Sequence, residues 1–513
     1  MATDKHSRLD SKAALHDLTG RARLVRNVST SYLSHLVFVI FGFVLPRTID
    51  EYIGQTALGI WDFGWAFVNY LSLAMVGIGS SVNRFVARYR TSHDNLALNR
   101  LVSTVVLIQV LIAAGVFVAT AILAYFVPLL YAERLGEYGD VARWVVLFLG
   151  SALAVEMLFD AWRGVLSGCH RWDIYNALNA GGYTIASLAM IAALAAGGGL
   201  KSMAAVYFLC TLATEVLRYY LARKTCPELE IARKFANWRD AKEVTRFGIK
   251  TVLIGLNVIL TTQTVNVLVV AHLGPAALAI LARPIALVRH VGTLASKYAN
   301  VLTPTVGSLQ SQGNTAVLKA FALQNARLGW LIAIPPLLLL AIVGDLLVGL
   351  WMGPGYADWS VALILAAGHI LPVAQRPLLH VLIGMNAHGK VAKYSAVAAV
   401  IILTAGIVLV NTTGWTLSKA AWLVILPGAV SLGVIVLTQS IRVLEISLAE
   451  YWHDVFSDAL RLLLVSGTGL VAIRVYLPIA EVPMMLLSAA YVVAVFMILH
   501  HADVSRFLKA VRK

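Results

Sequence analysis

Apolar positions along this chain gather into long runs, interrupted by short polar or glycine- and proline-rich stretches. The runs fall near 30 to 46, 58 to 82, 101 to 127, 143 to 166, 177 to 197, 202 to 221, 250 to 272, 276 to 305, 328 to 351, 360 to 384, 394 to 411, 417 to 441, 456 to 477 and 483 to 501. A helix needs ~20 apolar residues to cross a bilayer, and these runs are of that order. The pattern therefore predicts an all-α polytopic membrane protein of fourteen transmembrane helices. The first 28 residues are polar and basic, and the first run lacks a small-residue cleavage site, so it reads as an uncleaved first span.

The runs also repeat. Adding about 220 to the starts of spans one to six lands close to the starts of spans seven to twelve. Local sequence follows: Ser92-His93-Asp94-Asn95 lines up with Ser311-Gln312-Gly313-Asn314, and Val165-Leu166-Ser167-Gly168 with Val381-Leu382-Ile383-Gly384. An even number of spans returns the chain to its starting side, so two six-helix lobes in parallel orientation are expected, followed by two C-terminal helices. The expected organisation is a tail (1–28), an N-lobe (29–222), a basic linker (223–249), a C-lobe (250–442) and spans thirteen and fourteen with a basic tail (443–513). The linker, with Pro227 and Trp238 among its basic residues, is expected on the anionic inner leaflet.

Composition sharpens this. Of 513 residues 59% are hydrophobic and only 13% charged, with a mean hydropathy of +0.79. Soluble domains carry roughly 25% charge, which excludes a water-soluble fold. The net charge of +15 has to be read by side of the membrane. With the amino terminus inside, 28 of the 41 Lys and Arg fall in inner segments and five in outer loops, placing both termini in the cytoplasm. Cys169, Cys210 and Cys226 lie far apart without CxxC spacing and read as packing residues. Gly384 to Lys390 has P-loop spacing, but Val391 stands where a magnesium-binding Ser/Thr belongs, and a span precedes it instead of a strand. ATP hydrolysis on this chain is not expected, nor are any cofactor, metal or catalytic residues.

The 6 + 6 + 2 arrangement, together with Leu45-Pro46-Arg47, Leu58-Gly59-Ile60-Trp61-Asp62-Phe63-Gly64 and Gly77-Ile78-Gly79-Ser80-Ser81-Val82-Asn83-Arg84, resembles the Wzx-type polysaccharide exporters. These belong to the multidrug/oligosaccharidyl-lipid/polysaccharide (MOP) exporter superfamily. The resemblance covers nearly the whole chain at the level of pattern. It implies the MOP flippase fold, with two lobes around a cavity that opens alternately to each side of a bacterial inner membrane. It further implies transport, with no enzyme activity, of undecaprenyl-pyrophosphate-linked oligosaccharide for O-antigen, capsule or exopolysaccharide. Implied partners are a coupling ion, H+ or Na+, and polysaccharide polymerase and chain-length proteins. A multidrug/cation antiporter of the same superfamily and a lipid II flippase stand as alternatives.

Charges within spans point to candidate chemistry, because each costs about 2.5–3.5 kcal/mol to insert. Span eight carries Arg283, Arg289, His290 and Lys297 with no acidic residue between Pro275 and Pro304. Arg283, His290 and Lys297 recur every two turns on one face and climb about 21 Å, a cationic ladder suited to a pyrophosphate. The other reading is that these cations pair with Asp62, Glu156 or Asp160 of the first lobe and lock the lobes together. The same carboxylates are the candidate coupling groups, although Glu156, Asp160 and Arg163 share a face and can satisfy one another. Span ten offers His369, Arg376 and His380, interrupted by Pro372 and Pro377. Asn257, Thr261 and Thr264 form a polar stripe that suits either sugar or helix contacts. Asn69 shares the Asp62 face, and Arg84 at the inner end of span two either meets an anionic head group or serves as positive-inside anchoring. Glu215, Arg218, Asp345 and Arg474 lie toward span ends and are expected to snorkel.

Overall fold

The computed structural model describes residues 21–75, 78–237, 242 and 259–501, and all of its regular structure there is helical. Among these residues twelve helical stretches are long and apolar enough to cross a membrane. One of them, Leu33–Ala74, spans 42 residues and is broken at Gly54. At 1.5 Å per residue it is about twice the bilayer core, so it holds span one and the start of span two. The shorter helix Ile259–Leu273 is the described part of span seven. The count is therefore fourteen.

The chain divides into two compact units, Met1–Val252 and Leu253–Lys513. The internal repeat appears as recurring backbone geometry. Gly54 (φ 84°, ψ 169°) ends span one and Gly274 (φ 89°, ψ 170°), 220 residues later, ends span seven. Both angles lie where a β-carbon is strained, so glycine is needed at each corner. The turns before spans three and nine match in the same way. His93 and Gly313 take positive φ, and Asp94 and Asn314 then cap their helices by accepting from Ala97 N at 2.9 Å and Val317 N at 3.1 Å. The equivalence is thus Asp94 with Asn314, one residue away from the expected pairing of Asn95 with Asn314, because cap chemistry sets the register. The second expected match is a packing site: a β-carbon on Gly168 would sit 2.7 Å from Val86 Cβ, and one on Gly384 would sit 2.8 Å from Val306 Cβ. In each unit the glycine lets two helices approach closely, the main source of association where lipid removes the hydrophobic drive.

In the first unit, span four (Gly139–Gly168) is central and packs against spans two, three (Asn95–Leu130) and six (Gly199–Thr225). Span five (Trp172–Ala195) lies against spans one and six. In the second unit, span nine (Thr315–Met352) packs against spans eight (Pro275–Ser311), ten (359–384), thirteen (448–476) and fourteen (Glu481–Leu499). Ion pairs tie span thirteen to span nine: Lys319 with Glu450, Arg327 with Asp458, and Arg474 bidentate to Asp345 at 2.6 and 2.7 Å. Arg474 and Asp345 therefore do not snorkel. The two side chains face each other across a helix contact that the sequence alone does not reveal.

The described start of the linker, residues 226–237, docks as a strap on the first turns of span three. The backbone N–H groups of Glu230, Ala232 and Asn237 donate to Asn99 Oδ1, Ser103 Oγ and Thr104 Oγ1 at 2.9, 3.3 and 2.9 Å. Three buried polar side chains at the head of a membrane helix are thereby satisfied. Arg90 Nε donates to Glu228 Oε1 at 2.7 Å. Burial alone would raise the Glu228 carboxyl, but hydrogen bonds from its own backbone and from Arg90 hold it below the usual carboxylate range.

A carboxyl depressed in the folded state contributes its stability above the unfolded value of about 4.3 and loses it as pH falls further. Glu228→Gln should mimic that loss at neutral pH. Cys226, the fully buried first residue of the strap, should then react with a maleimide several-fold faster, as read by mass spectrometry. Unchanged labelling would mean that the strap is held without the Arg90 pair.

Candidate functional site

The first unit buries an ionic network between its helices. Arg163 of span four donates through NH2 to Glu156 Oε2 at 3.1 Å, two turns back on the same helix, and to Glu215 Oε1 of span six at 2.7 Å. Arg218, one turn after Glu215, donates through Nε to Glu215 Oε2 at 2.9 Å and through NH2 to Asn179 Oδ1 of span five at 2.9 Å. Glu215 and Arg218 are 2% and 1% exposed. The expectation that they snorkel is wrong, because Glu215 meets Arg163 of span four while Arg218 is held by Glu215 and by Asn179 of span five. Asp160 is buried beside the network; Gln109 Nε2 of span three approaches it at 3.5 Å, while Gln109 Oε1 accepts from Ala161 N at 2.9 Å.

Next to the network lies a cavity of about 340 Å³, with the aromatic rings of Phe38, Trp65, Tyr183 and Tyr207 on one part of its wall and Glu156, Arg163, Glu215 and Arg218 on another. Arg163 Nε and Arg218 NH1 are buried and have no hydrogen-bond acceptor among the described residues. The cluster holds three carboxylates against two guanidinium groups, so its formal balance invites one further cation while its spare N–H groups invite an oxygen ligand. Buried ions of this kind persist only when paired and hydrogen-bonded.

The second unit separates its basic residues. Arg283 is buried with its guanidinium 6.0 Å from the Trp351 ring. His290 and Lys297 are half-buried and Arg289 is exposed. On span ten, broken at Gln375 between Trp359–Ala374 and Arg376–Gly384, Arg376 NH1 donates to Ser296 Oγ at 2.7 Å and His380 Nδ1 lies 3.2 Å from Thr303 Oγ1. At 100° per residue Ser296 and Thr303 lie well away from the face shared by Arg283, His290 and Lys297. Arg376 and His380 thus dock on another side of span eight and do not extend the ladder. His369 Nδ1 is 2.7 Å from the Leu365 carbonyl, a contact within its own helix.

Of the remaining expected residues, Thr261 is buried and Thr264 donates to the Leu260 carbonyl at 2.6 Å. Asp62 and Asn69 are half-buried, and the Asn69 carbonyl accepts from Ser72 Oγ at 2.7 Å. Asn257 and the Arg84 side chain lie outside the described residues. Sequence reasoning missed Asn179, Gln109 and Ser296 altogether. Glu215 and Arg218 did carry a signal, an i, i+3 pair, which the apolar run ending at residue 221 obscured because the helix continues to Thr225.

Removing one partner of a buried ion pair costs about 3–5 kcal/mol, since the other charge is stranded. Arg218→Gln should therefore lower the thermal unfolding midpoint of the purified protein clearly, and adding Glu215→Gln should recover part of the loss. Additive losses would show that the two side chains are not coupled.

Residues 99–361, just over half of the chain, match the model of a family described as "Polysaccharide biosynthesis protein". The membrane protein EpsK of Bacillus subtilis (strain 168), described as uncharacterized, is 24% identical over 416 residues, 79% of this chain and 80% of that protein. A solved structure of the lipid II flippase MurJ in an inward closed conformation aligns with a TM-score of 0.70 at 11% identity, covering 94% of this chain and 100% of that one. An inward-facing multidrug resistance MATE family transporter of the MOP superfamily aligns with a TM-score of 0.63 at 14% identity, covering 83% and 99%. At these identities the solved structures establish the fold.

Proposed function

The chain belongs to the polysaccharide biosynthesis protein family and has the MOP-superfamily fold, and from that premise we propose that it is a flippase for lipid-linked oligosaccharide. In this reading a polyprenyl-pyrophosphate-linked repeat unit passes from the inner to the outer leaflet of a bacterial cytoplasmic membrane by alternating access. Both termini are cytoplasmic, the glycan head group travels within the protein and the polyprenyl tail stays in lipid. The chain is a transporter and performs no bond chemistry.

The observation that carries this reading is the cationic character of span eight. Arg283, Arg289, His290 and Lys297 occupy a helix with no acidic residue between Pro275 and Pro304, and Arg376 of span ten reaches the same helix through Ser296. Cations are costly in a bilayer, and an anionic head group that must cross apolar surroundings needs them at successive depths. Arg283, His290 and Lys297 form the path, with Arg84 at the cytoplasmic entrance and Asn69, Asn257, Thr261, Thr264 and His369 as polar lining for sugar hydroxyls, while Arg376 and His380 brace span eight from its other side.

Energy enters through the first unit. Asp62, Glu156 and Asp160 are the coupling carboxylates, taking H+ or Na+, and the excess of carboxylate over guanidinium in the buried network supports this. Aromatic rings beside carboxylates are also what a cationic drug would meet, so the first-unit cavity favours multidrug/cation antiport as the second reading.

A charge-assisted hydrogen bond contributes about 1.5–3 kcal/mol, and each 1.4 kcal/mol is tenfold. Arg283→Gln combined with Lys297→Gln should cut surface polysaccharide export by at least about tenfold while membrane insertion, followed by immunoblot of membrane fractions, stays normal. Export that survives both changes would remove the ladder from the substrate path.

A further inference from the structure

On the other side of span four from the ionic network, a second cavity of about 530 Å³ opens on the surface of the first unit. Its floor is aromatic: Trp162 and Tyr219 meet edge to face at 4.7 Å, with Phe159 at 6.3 Å from Tyr219. Val106 of span three and Val216 of span six form its sides, and Ile231 of the strap closes one end. Val216 and Tyr219 are 49% and 41% exposed, so among the described residues the groove is uncovered.

The closed end is basic. Arg223, in the last turn of span six, lines the groove and donates through NH1 to the Leu229 carbonyl of the strap at 2.8 Å. That bond uses one of five guanidinium N–H donors and fixes the exposed side chain at the groove mouth. Lys224 lies beside it, and Arg233 and Lys234 are exposed on the strap. The strap's two carboxylates are engaged, Glu228 by Arg90 at 2.7 Å and Glu230 by Lys234 at 3.7 Å. An apolar, aromatic trough thus ends at cations at the level where a span meets the head-group layer.

We propose that this groove is a binding site for an anionic phospholipid of the inner leaflet, with one acyl chain along Phe159, Trp162, Val216 and Tyr219 and the phosphate at Arg223. The leaflet rests on the cytoplasmic placement of the basic ends given above; the site itself does not depend on what is transported. The volume falls within the range of about 300–1,000 Å³ usual for ligand pockets. Apolar walls without the cations would accept any lipid, and surface cations without the trough would attract anionic lipids without retaining one. The two together select one. The strap that supplies Arg223 its carbonyl partner is the start of the segment joining the two units, so lipid bound here stabilises that segment's docking on span three.

The test uses the full chain in vesicles of phosphatidylcholine containing a minor fraction of phosphatidylglycerol, with a benzophenone amino acid in place of Val216. A second protein carries it in place of Val397, 52% exposed and eight residues into span eleven, as a depth-matched control. After irradiation, mass spectrometry of the adducts at position 216 should show phosphatidylglycerol enriched several-fold over its share of the vesicle, while adducts at position 397 follow bulk composition. Arg223→Gln should return position 216 to bulk composition and leave position 397 unchanged, showing that the protein still inserts. Three results would overturn the proposal: bulk composition at both positions, enrichment that survives Arg223→Gln, or displacement of phosphatidylglycerol by added polyprenyl phosphate. None of them touches the export assay, so this site and the flippase reading fail separately.

Discussion

A charge inside a bilayer has to be met, and the cost of leaving it unmet organises this molecule. The first unit meets its charges internally, with two arginines and three carboxylates gathered between spans four and six and extended to spans three and five by Gln109 and Asn179. The second unit uses Arg474 with Asp345 to bind span thirteen to span nine, yet keeps a helix whose only charges are basic. In the proposed flippase, the acid-rich cluster is where a coupling cation acts and the basic helix is where an anionic head group passes. The same constraint at the membrane edge explains the strap, which satisfies polar side chains at the head of span three with backbone donors.

The two units follow one plan and use it differently. The corners at Gly54 and Gly274, the caps Asp94 and Asn314, and the contacts of Gly168 with Val86 and of Gly384 with Val306 recur at nearly constant spacing. These positions are dictated by backbone geometry and close approach, which tolerate little change. Charge placement does not recur. Span four carries Glu156, Asp160 and Arg163, whereas its counterpart, span ten, carries His369, Arg376 and His380 and is broken at Gln375. The scaffold is repeated while the charged side chains differ, as the proposed division of coupling ion and head group between the halves requires.

Much of the fold was legible because hydropathy reports span length directly and glycines mark the corners of the repeat. The fourteen spans and their period follow from it. The candidate site was legible only along single helices. Glu156 with Arg163 is visible as an i, i+7 spacing, but the link onward to Glu215, Arg218 and Asn179 depends on which faces of spans four, five and six meet. Periodicity of an apolar helix in lipid does not tell that, since both its faces are hydrophobic. Ion pairs between distant helices escape for the same reason: Arg474 and its partner Asp345 are 129 residues apart and share no local pattern. Arg376 could be read from sequence only as a cation of span ten grouped with His369 and His380; that it meets Ser296 of span eight depends on which faces of those two helices touch.

Whether this chain moves a glycan carried on polyprenyl pyrophosphate, as proposed, is read by mass spectrometry of polyprenyl-linked oligosaccharides from cells lacking the gene beside the complemented strain. One repeat unit should accumulate on its pyrophosphate carrier, the matching surface polymer should disappear, and complementation should restore both. An unchanged lipid-linked pool with intact surface glycans and raised sensitivity to cationic drugs would contradict the proposal. The span-eight cations would then have to be read as structural, and the first-unit cavity as the transport site.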